Sequence, residues 1–197
     1  MKSSAIRKYR ADDKENLRYI CRETAGEYFR KSERLMDAVP IIYSDYFTEN
    51  EPENIFVIAD ADDKAVGYII CSSDYDGFLR KMHKKYMPQA VKCHAAMLPV
   101  CIGYMAAMRR NGRKNCTHLH IDILPDYQHM GLGTQLINEL RKHLYSKGIK
   151  NLGVNSIDRN ESAYKFYRKY GFSEKYHLIG SLYSLTISTE IGTEADK

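Results

Sequence analysis

From His118 to Leu124 the chain alternates polar His118, His120 and Asp122 with apolar Leu119, Ile121 and Ile123, the period of two of a strand whose faces meet different surroundings. Pro125 ends it. Beyond Gln128 the period changes, and Leu132, Leu136, Ile137, Leu140 and Leu144 recur along one face of a helix that Lys147-Gly148 stops. Leu152–Ile157 reads as the next strand, parallel to the first because a helix intervenes. Asp158-Arg-Asn160 then opens a helix over ESAYKFYRKY, stopped by Gly171, and Phe172–Leu178 and Ser181–Ser188 are two further strands broken at Gly180.

The first half is less regular. Ala5–Arg10 alternates weakly, and Asp12 is placed to cap a helix carrying Leu17, Ile20 and Cys21 at helical intervals. From Lys31 to Glu53 the pattern loosens to a short helix over Glu33–Ala38, a break at Pro40, and a Tyr-rich segment, IIYSDYFTENEPEN, expected to be more loop than element. Asn54–Ala59 and Ala65–Cys71 are β-branched runs joined by a charged turn, hence a hairpin. The Ser72–Cys116 stretch is too long for a structureless loop and has helical signals of its own, with Pro99 expected to break or kink them and Asn111-Gly112 to stop them. The order is β-α-α-β-β-helix-β-α-β-α-β-β.

At 197 residues the chain suits one domain, expected to span 1–197 with a helical insertion at 72–116 and a frayed tail at 189–197. With 44% hydrophobic and 28% charged residues, and no apolar run that could span a bilayer, the composition points away from a membrane protein. The opening MKSSAIRKYRADDKEN has no apolar signal-peptide core, so a cytoplasmic location is expected. A net charge of +5 suits an anionic cofactor, but its basic residues are interleaved with acids, which makes nucleic-acid binding the weak reading. The five cysteines show no Cys-x-x-Cys or zinc spacing and read as reduced thiols, and although His118, His120 and Asp122 on one strand could ligate, nothing nearby completes a site, so no metal is expected.

The candidate chemistry lies between the strand at His118 and the helix after Gly133. Gly131 and Gly133 remove side chains where the backbone turns into a helix, so amide N–H groups and the positive end of the dipole can converge on an anion. A P-loop would need Lys after Gly133, and a dinucleotide turn would need glycine at 136, where the chain has leucine. The remaining spacing, Gln128-His129-Met130-Gly131-Leu132-Gly133-Thr134, resembles the acyl-CoA loop of the GNAT superfamily of N-acetyltransferases. Downstream, Asn160-x-x-Ala163-x-x-x-Tyr167-x-x-x-Gly171-Phe172 resembles the closing motif of the same enzymes, one strand and one helix away. A nearer likeness, carried by YICRETAGE, EPENIFVIAD, AVGYI, HLHIDILPDYQ and NESAYKFYRKYGF, is to the acetyltransferase-like domains related to the C-terminal region of O-GlcNAc hydrolases.

The resemblance implies an α/β (α+β layered) fold, with a mixed central sheet of about seven strands flanked by helices and a helical insertion between strands three and four. It also implies acetyl-CoA as the cofactor and transfer of an acetyl group to a primary amine. A non-catalytic acyl-CoA-binding module is the alternative. By the same resemblance the cofactor is held by Ile123 and Leu124 through their main chain, by residues 128–134, by Asn160 and by Tyr167. His118 and His120 share a strand face and are both candidate bases, and the run His-Leu-His resembles the paired histidines of arylalkylamine N-acetyltransferases. Tyr167 matches the tyrosine that acts as acid toward the CoA sulfur. The 72–116 insertion and Tyr43–Phe47 match no general motif and are expected to line the acceptor site.

Overall fold

The computed structural model describes residues 4–111, 117–156, 161–177 and 181–186. Its strands are β1 (Ala5–Lys8), β2 (Ile55–Ala59), β3 (Ala65–Ser72), β4 (His118–Ile123), β5 (Asn151–Ser156), β6 (Ser173–His177) and β7 (Ser181–Thr186). They form one seven-stranded sheet in the order β1-β2-β3-β4-β5-β7-β6. Pairing is antiparallel except between β4 and β5, which run parallel, so the sheet is mixed.

Helices cover both faces. α1 (Lys14–Glu23), α2 (Glu33–Tyr43) and α3 (Asp45–Asn50) precede the hairpin, and α4 (Tyr75–Lys81), α5 (Met87–Cys93) and α6 (Met97–Asn111) fill the chain between β3 and β4. Leu17, Ile20, Ile42, Phe47, Phe78 and Met108 of these helices pack with Val57, Tyr68 and Ile70 of the sheet. On the opposite face α7 (Leu132–Ser146) and α8 (Glu161–Tyr170) place Leu136, Leu140 and Tyr167 with Ile58, Ile69 and Leu119. Because β2 and β3 are covered on both sides, they are apolar at nearly every position instead of alternating. Among the described residues no helix is long and apolar enough to cross a membrane.

Four local expectations are corrected. The first helix starts at Lys14 and not after Asp12, because a 3₁₀ turn over Ala11–Asp13 comes first and Asp13 is the residue used. Its carboxylate accepts the Arg10 N–H at 2.8 Å and takes the Arg7 guanidinium at 2.7 and 2.9 Å. Pro40 does not break α2, which runs on to Tyr43 although the ring removes one donor. Burial of Leu35, Met36, Ala38, Val39 and Ile42 along one face outweighs that lost bond.

The Tyr-rich segment is accordingly helical, with α3 and a 3₁₀ turn over Pro52–Asn54. Val39, Ile42 and Tyr46, which span Pro40 and run into this segment, carry the helical spacing that the proline masks. Within the 72–116 stretch, the break falls after Cys93, and Pro99 sits in the first turn of α6, where its missing N–H has no intrahelical partner to lose. A π turn over Met82–Tyr86 precedes Pro88, which cannot donate to the Lys84 carbonyl. The expectations for Gly112, Gly180 and the 189–197 tail lie outside the described residues.

Candidate active site

β4 ends at Ile123, and the main chain there divides its bonds between two neighbours. The Leu124 N–H donates to the Val66 carbonyl at 3.0 Å. By the antiparallel alternation, residues 118, 120, 122 and 124 turn their backbone groups to β3, whereas 119, 121 and 123 turn theirs to the β5 edge. On that edge the parallel pairing is at Leu119↔Val154, and β4 extends past it to Ile123. The Ile123 carbonyl accepts the Gln128 side-chain amide at 2.7 Å, which ties the following loop to the strand end.

The loop rises through a 3₁₀ turn, Pro125–Tyr127, to His129 and Gly131, whose φ angles are 62° and 75°. Gly131 is the N-cap of α7, and a Cβ built there would meet nothing within 4 Å among the described residues, so glycine answers a left-handed backbone and those residues leave the space in front of it open. Gly133 has a different reason: a Cβ would lie 3.1 Å from Cζ of Phe166, so its glycine lets α7 approach α8. The first intrahelical bond of α7 runs from the Gln135 N–H to the Gly131 carbonyl, which leaves the N–H groups of Leu132, Gly133 and Thr134 ahead of any intrahelical acceptor. No acidic residue stands in that first turn. His129 and Met130 are exposed beside it.

The polar face of β4 looks toward α1, α2, α4 and α6. His118 is 3% exposed, with its Nε2 3.3 Å from the Tyr104 hydroxyl and its ring against Phe78 and Tyr104. Burial, helped by the nearby His120, pushes its pKa down to about 3, so the imidazole is neutral. Its Nδ1 is buried without a hydrogen-bond partner among the described residues.

His120, two residues on, is in other surroundings. Its Nε2 lies 2.9 Å from Oδ2 of Asp122, and its ring stacks on Tyr43 with centroids 5.4 Å apart. Burial works to lower its pKa, but the charge and hydrogen bond of Asp122 outweigh burial and hold it above the ordinary value. For Asp122 burial likewise works to raise the pKa, and the His120 charge with the hydrogen bonds from His120 and Tyr68 keeps it low. The Tyr68 hydroxyl donates to Oδ2 of Asp122 at 2.6 Å, so the carboxylate is held from β3 as well.

Tyr167 is 6% exposed on α8. Its carbonyl accepts the Phe172 N–H at 2.9 Å across Gly171, whose φ of 109° permits the turn, and its ring packs on Phe172 at 5.4 Å. Tyr167, Leu132 and Phe172 share the apolar cluster against which Ile123 packs. Tyr167 and His120 therefore lie on opposite faces of the sheet, with the β4–β5 edge between them. Asn160 lies outside the described residues. Of the expected acceptor segment, Tyr43 reaches His120, whereas Tyr46 is turned inward, its hydroxyl donating to Glu51 at 2.8 Å, and Phe47 is fully buried.

Sequence reasoning singled out neither Asp122 nor Tyr68 as a site residue. The alternation placed Asp122 beside His120, which is a signal for a paired imidazole; nothing in the sequence announces Tyr68, which arrives through the register Tyr68↔Asp122.

A family model described as "Acetyltransferase (GNAT) family" matches residues 17–172. No curated protein matches the sequence. The solved structure of SsHAT is similar at TM-score 0.78 and 24% identity, over 94% of this chain and 99% of that one. The PaiA N-acetyltransferase of Thermoplasma acidophilum, solved with coenzyme A, gives 0.57 and 16%, over 93% and 99%. A Drosophila melanogaster polyamine N-acetyltransferase that forms N-acetylagmatine gives 0.56 and 11%, over 93% and 100%. At these identities the likeness shows a shared fold.

Proposed function

Since the chain belongs to the GNAT acetyltransferase family, we propose that it is an acetyl-CoA-dependent N-acetyltransferase acting on a primary amine, with His120 as base and Tyr167 as acid. The observation that carries this reading is the His120–Asp122 pair at 2.9 Å, set on the one strand that leads directly into an anion-ready helix N-terminus. The coenzyme supplies an activated acetyl thioester; the chain's residues have to hold it and move protons.

For holding, the N–H groups of Leu132, Gly133 and Thr134 and the dipole of α7 converge on the open space before Gly131, a fit for a pyrophosphate. Gln128, His129 and Met130 form the wall before it, and the Gln128 amide braces the strand end. Of the two main-chain candidates for the thioester carbonyl, the Leu124 N–H is already given to Val66, which favours Ile123, whose N–H is on the β5 edge. Asn160 is assigned to the same cofactor by the motif it opens.

For proton movement, the two histidines separate on their surroundings. His118 is buried and too weak a base to collect a proton from an ammonium, whereas His120 has a carboxylate to stabilise the imidazolium. With Asp122 ionised, Nε2 of His120 is the donor, so Nδ1 carries the lone pair that takes the amine proton. Tyr167, fixed by the Gly171 turn on the α7/α8 side, supplies the proton to the departing sulfur. The acceptor then enters from the α1/α2 side and the cofactor from the other, meeting where β4 runs past its pairing with β5. Tyr43, stacked on His120, gives that entrance an aromatic wall, and Phe78 and Tyr104 close off the strand beyond it around His118. The nearer likeness to the acetyltransferase-like domains related to O-GlcNAc hydrolases stays part of this reading.

The experiment is free-thiol release from acetyl-CoA against a panel of primary amines, for the wild type and His120→Gln. Amine-dependent release that His120→Gln loses supports the reading; release equal to background with every amine makes the chain a binding module.

A further inference from the structure

A third metal-ligating group stands beside His120 and Asp122. Cys21, in the last turn of α1, is 2% exposed, and its sulfur, an imidazole nitrogen of His120 and a carboxylate oxygen of Asp122 all lie within 4.8 Å of one another. We propose that Cys21, His120 and Asp122 form a binding site for a divalent metal of the zinc class, open on its fourth side to the candidate acceptor pocket.

The donor set selects the metal. A thiolate with an imidazole and a carboxylate suits zinc or cobalt, whereas calcium and magnesium require oxygen donors throughout. Tetrahedral coordination at zinc distances puts neighbouring donor atoms roughly 3.3–3.6 Å apart. The three atoms already fall within 4.8 Å, so small side-chain rotations suffice. Binding releases the thiol proton to solvent, and the two negative charges of thiolate and carboxylate then balance the ion, which makes the charge tolerable at a site this buried.

Access and outer support are both present. The His120 and Asp122 side chains are 28% and 17% exposed, so an ion can arrive from solvent past them while Cys21 forms the floor. The Tyr68 hydroxyl, 2.6 Å from the Asp122 carboxylate, is an outer-shell donor that orients a ligating carboxylate. Cys21 comes from a different element than the other two and is nearly a hundred positions away in sequence, so no ligand spacing betrays the site.

One consequence rests on the acetyl-transfer reading: a metal held here takes His120 and Asp122 out of the proton path. Zinc should therefore inhibit turnover in competition with the amine and leave acetyl-CoA affinity unchanged. Metal binding itself stands or falls independently of that reading.

The test is a Co2+ titration of the chelator-treated full chain, followed by ultraviolet thiolate-to-cobalt charge transfer and visible tetrahedral absorption, with Zn2+ competition by calorimetry. We expect one metal per chain, a thiolate band lost in Cys21→Ser and kept in Cys93→Ser, and a Zn2+ affinity at least about tenfold weaker in His120→Gln and Asp122→Asn. Should Cys21→Ser fail to fold, the wild-type band together with His120→Gln decides. A spectrum without a thiolate band, or Zn2+ affinity unchanged in folded His120→Gln and Asp122→Asn, overturns the proposal.

Discussion

Replacing Gly131 by aspartate puts a carboxylate into the open space that the proposed pyrophosphate occupies. The fold should tolerate it: a Cβ at Gly131 meets nothing within 4 Å, and the residue's φ of 75° lies in the left-handed region that Asp and Asn enter more readily than other residues, at roughly 1 kcal/mol. The effect on binding is electrostatic. Taking about 5 Å to each of two phosphate charges and an effective dielectric of about 40, Coulomb's law gives close to ~3 kcal/mol of repulsion, or roughly 10²-fold in affinity. Gly131→Asn has the same shape and backbone tolerance without the charge, so the difference between the two variants isolates the electrostatic part. Calorimetric titration with acetyl-CoA reads both, and raising the salt should narrow the gap between them. Equal affinities for the Asp and Asn variants, each folded, would show that no anion sits before α7.

The other expectations concern the acid, the acceptor and stability. Tyr167→Phe keeps the ring on Phe172 and should leave acetyl-CoA affinity intact while lowering the single-turnover rate by at most about 10²-fold, since a thiolate leaves with little help; an unaltered rate would reduce Tyr167 to packing. Tyr43→Ala removes the ring stacked on His120 and should raise the amine's KM without changing acetyl-CoA affinity, and the reverse pattern in steady-state kinetics would place the acceptor elsewhere. The Asp13 carboxyl is held below its ordinary value because the Arg7 and Arg10 hydrogen bonds outweigh burial. A depressed carboxylate stabilises the fold above its unfolded pKa and loses that contribution as pH falls through the folded one, so Asp13→Asn should flatten the acid limb of a denaturation midpoint–pH curve below about pH 4; a limb of unchanged steepness would refute it.

The elements with strong periodicity were legible. β4 could be read because one face is polar and the other apolar, and α7 because its apolar stripe has a clear start at the glycine loop and a clear stop. Pro40 misled because a proline is a local signal, and the burial of Val39 and Ile42 that overrides it is tertiary. Gly131 and Gly133 look alike in sequence, yet the first is there for its backbone angle and the second for the approach of Phe166. His118 and His120 have the same residue type, face and spacing. They are told apart by Phe78 and Tyr104, which bury the first and reach it only through the way the helices between β3 and β4 fold back over the strand, and by Asp122, which pairs the second from two residues along the same strand.

The central claim is acetyl transfer to nitrogen with His120 as the base, and it is tested most directly by incubating the chain with isotopically labelled acetyl-CoA and a panel of primary amines and identifying the acetylated amine by mass spectrometry. The wild type should place the label on an amine nitrogen well above the uncatalysed reaction, and His120→Gln should lose roughly 10²–10⁴-fold of that rate at unchanged acetyl-CoA affinity. Bound acetyl-CoA with no labelled amine above background across the panel, or a His120→Gln variant that acetylates as fast as the wild type, would contradict it.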